Sequence, residues 1–189
     1  ILNKKKIGYA LSDLQILSLI EDEPDEKWKY VYQLLVIYEL RPAELEYLVV
    51  KDEGQGEEVW SMYEKSMGGK KGERTEPREL CPLPLIGDNG KAIDFKLLER
   101  IKLGEDLPYL GRGGEVAMTM NTRFRSWDLW QQYRKEAERI KQVCVPYSFR
   151  HRYAKASHSK GFPIPNIAES MGHTPEVHMK NYARFKPSG

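Results

Sequence analysis

The stretch Tyr147–Phe185, which reads YSFRHRYAKASHSKGFPIPNIAESMGHTPEVHMKNYARF, carries the residues around which the rest of the chain is interpreted. It divides into three short helices. Pro146 disfavours helical backbone just before it, so a first helix is expected from Ser148 to about Ser159, where Lys160-Gly161 ends it. Pro165 suits the first turn of a second helix, Asn166 to Met171, and Gly172 suits the left-handed residue that stops it. Thr174 is the expected N-cap of a third, with Pro175 its first helical residue and Glu176 at its positive end. Tyr182 then falls about two turns along that helix.

Arg150, His173 and Tyr182 follow one another at offsets of 23 and 9 residues. At this spacing the segment resembles the C-terminal half of the tyrosine recombinases, the phage-integrase family. That family's pattern runs His-x-x-Arg-His, then Leu-Gly-His, then the nucleophilic tyrosine. This chain has Tyr147-Ser-Phe-Arg150-His151, Met171-Gly172-His173 and Tyr182, so Tyr147 stands where the family has histidine. The family's first arginine lies in a Gly-Leu-Arg-x-x-Glu-Leu stretch, here Glu39-Leu40-Arg41-Pro42-Ala43-Glu44-Leu45. Its catalytic lysine sits on a hairpin downstream, and the offset of 24 from Arg41 selects Lys65 over Lys70 and Lys71. The resemblance covers residues 12–185. Singly, each position has a plain structural reading, such as a helix-junction arginine or a core tyrosine with a wet hydroxyl. In register, they read as one site.

The chemistry asks for these residue types. A tyrosine that breaks a DNA strand exchanges one phosphoester for another, so no outside energy source is needed. Its hydroxyl, with an ordinary pKa of about 10, needs positive charge and a proton acceptor nearby. Charge developing on the phosphate calls for preorganised cations, and arginine offers a planar fork that lysine lacks. The resemblance implies that Tyr182 attacks and forms a 3′-phosphotyrosine, that Arg41 and Arg150 hold the phosphate, that Lys65 protonates the leaving 5′ oxygen, and that His173 donates to a phosphate oxygen. Glu44 supports Arg41. Tyr147 can hydrogen-bond to the phosphate but is a poor base near neutral pH, so a water or another group would have to take the nucleophile's proton.

Elsewhere the chain reads as mainly helical. Ser12-Asp-Leu-Gln15 fits a capping box for a helix ending before Pro24, and Trp28, Val31, Tyr32, Leu35 and Tyr38 form the core stripe of a second helix. Arg41-Pro42 opens a third. A hairpin is expected from Glu58–Lys65 and Arg78–Pro82 around a turn at residues 68–72, whose glycines lack the spacing of a phosphate-binding loop. A helix over Phe95–Lys102 follows, then a loop from Leu107 to Thr119. A long helix capped by Asn121 or Thr122 should run to about Lys141. The fold class expected is α+β, mainly α with a small antiparallel sheet, as in the tyrosine recombinase catalytic domain.

With 40% apolar residues over 189 positions the chain can bury one sizeable core, so residues 1–189 are read as a single catalytic domain. It starts at Ile1, and is taken as a fragment lacking the family's N-terminal DNA-clamping domain. No stretch approaches the roughly 18 apolar residues of a membrane span, and a soluble, cytoplasmic protein is expected. Cys81 and Cys144 match no paired pattern and are read as reduced core thiols; the four histidines show no metal-ligand spacing, so neither metal nor cofactor is expected.

The net charge of +2 hides an asymmetry: residues 1–94 carry 13 basic against 19 acidic side chains, residues 112–189 carry 14 against 6. A basic half bearing phosphate chemistry points to duplex DNA, with Arg123, Arg125 and Arg134 on the long helix as contacts. The resemblance implies a tetramer on DNA for a whole family member. Only seven residues follow Tyr182, Pro187 and Gly189 among them, too few for a docking helix, so the chain alone is expected to be monomeric. Two other functions fit the same residues: relaxation of the type IB topoisomerase kind, and DNA binding by a regulator that does not cut.

Overall fold

The computed structural model describes residues 6–64, 76–112 and 115–185. Its first helix, α1 (Asp13–Asp22), begins with the expected reciprocal box: the Gln15 amide donates to Ser12 Oγ at 3.1 Å, and Ser12 N–H to Gln15 Oε1 at 2.9 Å. Helix α2 (Glu26–Ile37) is capped by Asp25, whose carboxylate accepts from Lys27 and Trp28. The five stripe residues are buried, and so are Tyr30, Gln33, Leu34, Val36 and Ile37. A helix buried all round is a central element rather than an amphipathic surface one.

Around α2 pack α4 (Val116–Phe124), α5 (Asp128–Arg139) and α6 (Ser148–Ser159). Tyr32 stacks on Phe149 of α6 with centroids 5.7 Å apart and planes 4° from parallel, and Phe149 stacks on Trp130 of α5. The single long helix expected after Asn121 is in fact these two, broken at Arg125-Ser126-Trp127. Positions six apart on one helix point about 120° away from each other. The break brings the rings of Phe124 and Trp130 within 4.2 Å of each other, and lets Trp127 donate to Asp22 at 2.7 Å. Residues 116–119, expected as loop, form the start of α4.

The antiparallel sheet has three strands in the order β2 (Leu48–Asp52), β3 (Glu57–Ser61), β4 (Arg78–Glu79). Of the hairpin foreseen between Glu58–Lys65 and Arg78–Pro82, the described residues form the β3–β4 pairing, with Trp60 opposite Glu79. The longer partner, β2, was not expected as a strand: Pro42–Tyr47 is a single 3-10 stretch, and Leu48 then turns into the sheet opposite Ser61. Glycines 54 and 56, at φ +102° and +99°, make the tight connection between β2 and β3. Lys65 and the turn at residues 68–72 lie outside the described residues. Helix α3 (Leu97–Lys102) starts two residues after the expected Phe95.

The C-terminal elements are α7 (Ile164–Ser170), with Pro165 in its first turn, and α8 (Pro175–Tyr182), capped by Thr174. Gly172 between them has φ +68°. A short parallel pair, β1 (Ile7–Gly8) with β5 (Gln142–Val143), closes one side. Arg152 of α6 bolts the two halves together: it donates to Asp13 at 2.9 and 3.2 Å and to the carbonyls of Leu83 and Pro84. Cys144 is buried as expected, whereas Cys81 is exposed just past the end of β4. No helix among the described residues is long and apolar enough to cross a membrane.

Candidate active site

The turn joining α7 to α8 is where the distant arginines meet. Arg41 reaches it from the junction after α2, where Glu39 adopts left-handed backbone at φ +52° and redirects the chain. Its Nη2 donates to the carbonyl of Gly172 at 3.0 Å. Arg150, on the first turn of α6 and 3% exposed, donates to the carbonyls of Met171 and Glu39. Two guanidinium groups are thus oriented by one short turn before any ligand arrives.

Glu44 fixes Arg41 from beneath. Buried at 1% exposure, it accepts from the Arg41 backbone N–H at 2.8 Å and from Ser61 Oγ at 3.0 Å, and pairs with Arg78 of β4. Burial works to raise its carboxyl, but Arg78 above all, with Arg150 and Arg41, holds it below the usual range. Arg78 also donates to the Ser170 carbonyl at 3.1 Å, and a Cβ on Gly172 would sit 2.9 Å from its Nε. Sheet and α7 are therefore tied through Arg78, a residue whose partners are too far along the chain for a sequence pattern to reveal.

Tyr182 ends α8 and is 4% exposed. Its hydroxyl lies 3.1 Å from Nδ1 of His151, with the two rings edge to face. Burial raises the Tyr182 pKa above that of a free tyrosine, although Arg150, Arg184 and Arg41 pull it back. His173 stands beside it, ring centroids 5.9 Å apart, and its Nε2 meets His178 Nδ1 at 2.8 Å; His178 Nε2 in turn meets His158 Nε2 at 2.8 Å. Burial first, then neighbouring positive charge, depresses His173 to about 3, His151 to about 4 and His178 to about 4, so all three rings are neutral near pH 7.

Arg41, Tyr147, Arg150, His173 and Tyr182 line one cavity of about 650 Å³. Five of the six expected catalytic positions are therefore together; the sixth, Lys65, is outside the described residues. Tyr147, just before α6, is 39% exposed at the rim. The charged side chains lining this cavity among the described residues, Lys6, Arg41, Arg150, Lys180 and Arg184, are all cationic. Such a space attracts an anion. The three arginines expected to meet DNA differ in setting. Arg123 pairs with buried Glu23 and lies over Trp28 at 4.9 Å, whereas Arg125 is exposed and Arg134 makes only a surface pair with Glu138 at 3.4 Å.

No family model matches the chain. Solved structures do. It superimposes on the Tn1549 transposon integrase in complex with circular intermediate DNA with a TM-score of 0.52 at 14% identity, covering 96% of this chain and 63% of that one. A second structure of that integrase, with transposon right end DNA, gives 0.50 at 14% identity.

The chain has the tyrosine recombinase fold.

Among curated proteins, Excisase C of Nostoc sp. strain PCC 7120 is 28% identical over 172 residues, covering 88% of this chain and 31% of the excisase. Excisase A of the same organism is 27% identical over 172 residues, covering 87% of this chain and 33% of that protein. The chain thus spans about a third of the length of the curated relatives it matches. Within the recombinase fold, sequence reasoning quoted His151 in its motif without giving it a task, and passed over His178 and Arg78. His151 is detectable as the only histidine in the Tyr147–His151 motif; the other two carry no local signal.

Proposed function

We propose that this chain is the catalytic domain of a site-specific DNA recombinase that cuts and rejoins duplex DNA through a tyrosyl ester. The observation that carries this reading is the convergence of Arg41, Arg150, His173 and Tyr182 on one cationic cavity. In it, Arg41 and Arg150 grip the non-bridging oxygens of the scissile phosphate, each already oriented by a carbonyl of the α7–α8 turn. His173 donates to one of those oxygens, and the Tyr147 hydroxyl adds a hydrogen bond from the rim. Tyr182 attacks in line and becomes a 3′-phosphotyrosine; Lys65 gives its proton to the departing 5′ oxygen. The ester retains the energy of the broken bond, so rejoining reverses the same steps without metal or ATP.

The relatives support DNA as substrate, since two are excisases by name and the superimposed integrase was solved on DNA. Arg125 and Arg134 are assigned to backbone phosphates of the duplex, while Arg123, held by Glu23, is assigned to fixing α4 against α1 and α2. In the whole protein, assembly on DNA would pair such domains into a tetramer.

The test is to incubate the protein with a library of nicked duplexes of randomised sequence and to look for a covalent adduct that survives denaturation. Adduct with the parent and none with Tyr182→Phe is the expected result. A second reading, a DNA-binding regulator that does not cut, rests on Tyr147 occupying the family's histidine position. It would show as duplex retained without adduct.

A further inference from the structure

We propose that His151 is the proton acceptor for Tyr182, taking over the task that Tyr147 is chemically unfit to perform. This rests on the recombinase reading and concerns one atom of it. Nδ1 of His151 is 3.1 Å from the Tyr182 hydroxyl, within reach for direct proton transfer. Tyr147, by contrast, stands at the rim and carries a phenol that is no stronger a base than the nucleophile itself.

Three features hold the ring in the accepting role. The edge-to-face packing of His151 on Tyr182, centroids 5.4 Å apart, fixes its direction. On the other side the ring lies against Gly8 of β1, where any Cβ would overlap Nε2 and Cδ2, so the strand admits the imidazole only because residue 8 has no side chain. Arg184 then closes the arrangement by donating to the Gly8 carbonyl.

The charged side chains that line the cavity with the ring are all positive, Arg150 on its own helix, Arg41, Lys6 before β1, Lys180 on α8 and Arg184 after it, and Arg184 and Arg150 act on the ring itself. Its titratable neighbours are Tyr147, His173 and Tyr182. Burial first, and then the positive charge of Arg184 and Arg150, keeps the imidazole unprotonated and ready to accept, and the arriving phosphate offsets those charges, which strengthens the ring as a base when it is needed.

The step balances as follows. The Tyr182 O–H bond breaks and its proton passes to His151 Nδ1 as the Oη–P bond forms. The P–O5′ bond breaks, and the 5′ oxygen takes a proton from a separate acid, Lys65 in the assignment above. On rejoining, the 5′ hydroxyl attacks as its proton returns to Lys65 and the P–O5′ bond forms, the Oη–P bond breaks, and His151 returns its proton to the Tyr182 oxygen.

Two measurements test the proposal, one without DNA. In the free protein, nitrogen-15 spectra of labelled histidine, assigned by loss of the signal in His151→Gln, should show a neutral ring at pH 7 with the proton on Nε2 and a bare Nδ1 that shifts in Tyr182→Phe. A ring protonated on Nδ1 would overturn the idea whatever the protein does to DNA. On nicked duplexes captured by the parent, His151→Ala should slow single-turnover cleavage by about 10²-fold, the low end for a general base. Duplex affinity should be unchanged and added imidazole should restore part of the rate. Cleavage by His151→Ala within about threefold of the parent, or a folded but slow variant indifferent to imidazole, would refute it. Absence of adduct with the parent itself would strike the recombinase reading instead, leaving the spectra to decide the proton's position.

Discussion

Arg41 and Arg150, 109 positions apart, donate to consecutive carbonyls, those of Gly172 and Met171. Their fork planes are set by the same peptide turn, so neither side chain must be ordered when a phosphate arrives. The expected effect of Arg150→Ala is a cleavage rate lower by roughly 10²–10³, as for removal of one preorganised donor. Duplex affinity should fall much less, because one phosphate contact among many supplies a small share of binding. Equal losses in rate and affinity, measured by single-turnover cleavage and titration, would make Arg150 a plain backbone contact.

Glu44 touches neither the cavity nor a ligand, yet it positions Arg41. Glu44→Gln should keep the bond from Ser61 while breaking the buried pair with Arg78. Loss of one partner from a buried ion pair costs about 3–5 kcal/mol, so a markedly lower denaturant midpoint is expected. Cleavage should slow as well, measured well below the new midpoint.

Arg152 separates stability from chemistry. Its four bonds to Asp13, Leu83 and Pro84 join α6 to α1 and to the segment after β4. Arg152→Ala should destabilise by about 3 kcal/mol, since carbonyls and a carboxylate lose a buried cationic partner. Chemical denaturation gives the loss directly; an unchanged midpoint would show that the bolt carries no strain-bearing role in the fold.

Stability should depend on pH with a definite sign. His151, His173 and His178 have folded-state values of about 4, 3 and 4, below the usual 6.5. The unfolded chain therefore binds more protons than the folded one below pH 6.5, and stability is full at neutral pH and falls as pH drops from 6.5 toward 4. Glu39 opposes this. Its carboxyl is fully buried, and burial pushes its pKa well above the carboxylate range despite Arg150, Arg78 and the neighbouring Tyr153 hydroxyl. A raised acid favours the folded state at low pH and loses that advantage as pH rises past the unfolded value. Glu39→Gln should accordingly be more stable than the parent at pH 7 and lose its lead near pH 4, as read from melting temperatures across that range.

Binding to duplex DNA should weaken steeply with salt, since Arg125, Arg134 and the cavity cations would each displace counterions. Fluorescence titrations between about 50 and 200 mM salt would measure the slope. A flat response would count against a nucleic-acid partner.

The helical segment from Ser148 onward was legible because its signals are local: Thr174 caps, Pro175 starts and Gly172 stops within a few residues of one another. The capping box at Ser12 was legible for the same reason. Strand β2 was not, because Leu48–Asp52 becomes a strand by pairing with β3 rather than by its own alternation. Nor was the break before Asp128, which exists to let Phe124, Trp127 and Trp130 share one aromatic cluster with Tyr32 of α2. Among the residues singled out by the family resemblance, Arg41, Arg150, His173 and Tyr182 line one cavity. Arg78 and His178 were not legible, since their partners are chosen by the folded chain.

The rings of His158, His178 and His173 stand in file, joined nitrogen to nitrogen. With His173 and His178 neutral, the middle ring can donate on one side only if it accepts on the other. The three rings consequently possess two collective proton orders. In one, His173 offers a proton from Nδ1; in the other, it offers a lone pair. A preference exerted at His158 is thereby read at the cavity as the choice between a donor and an acceptor.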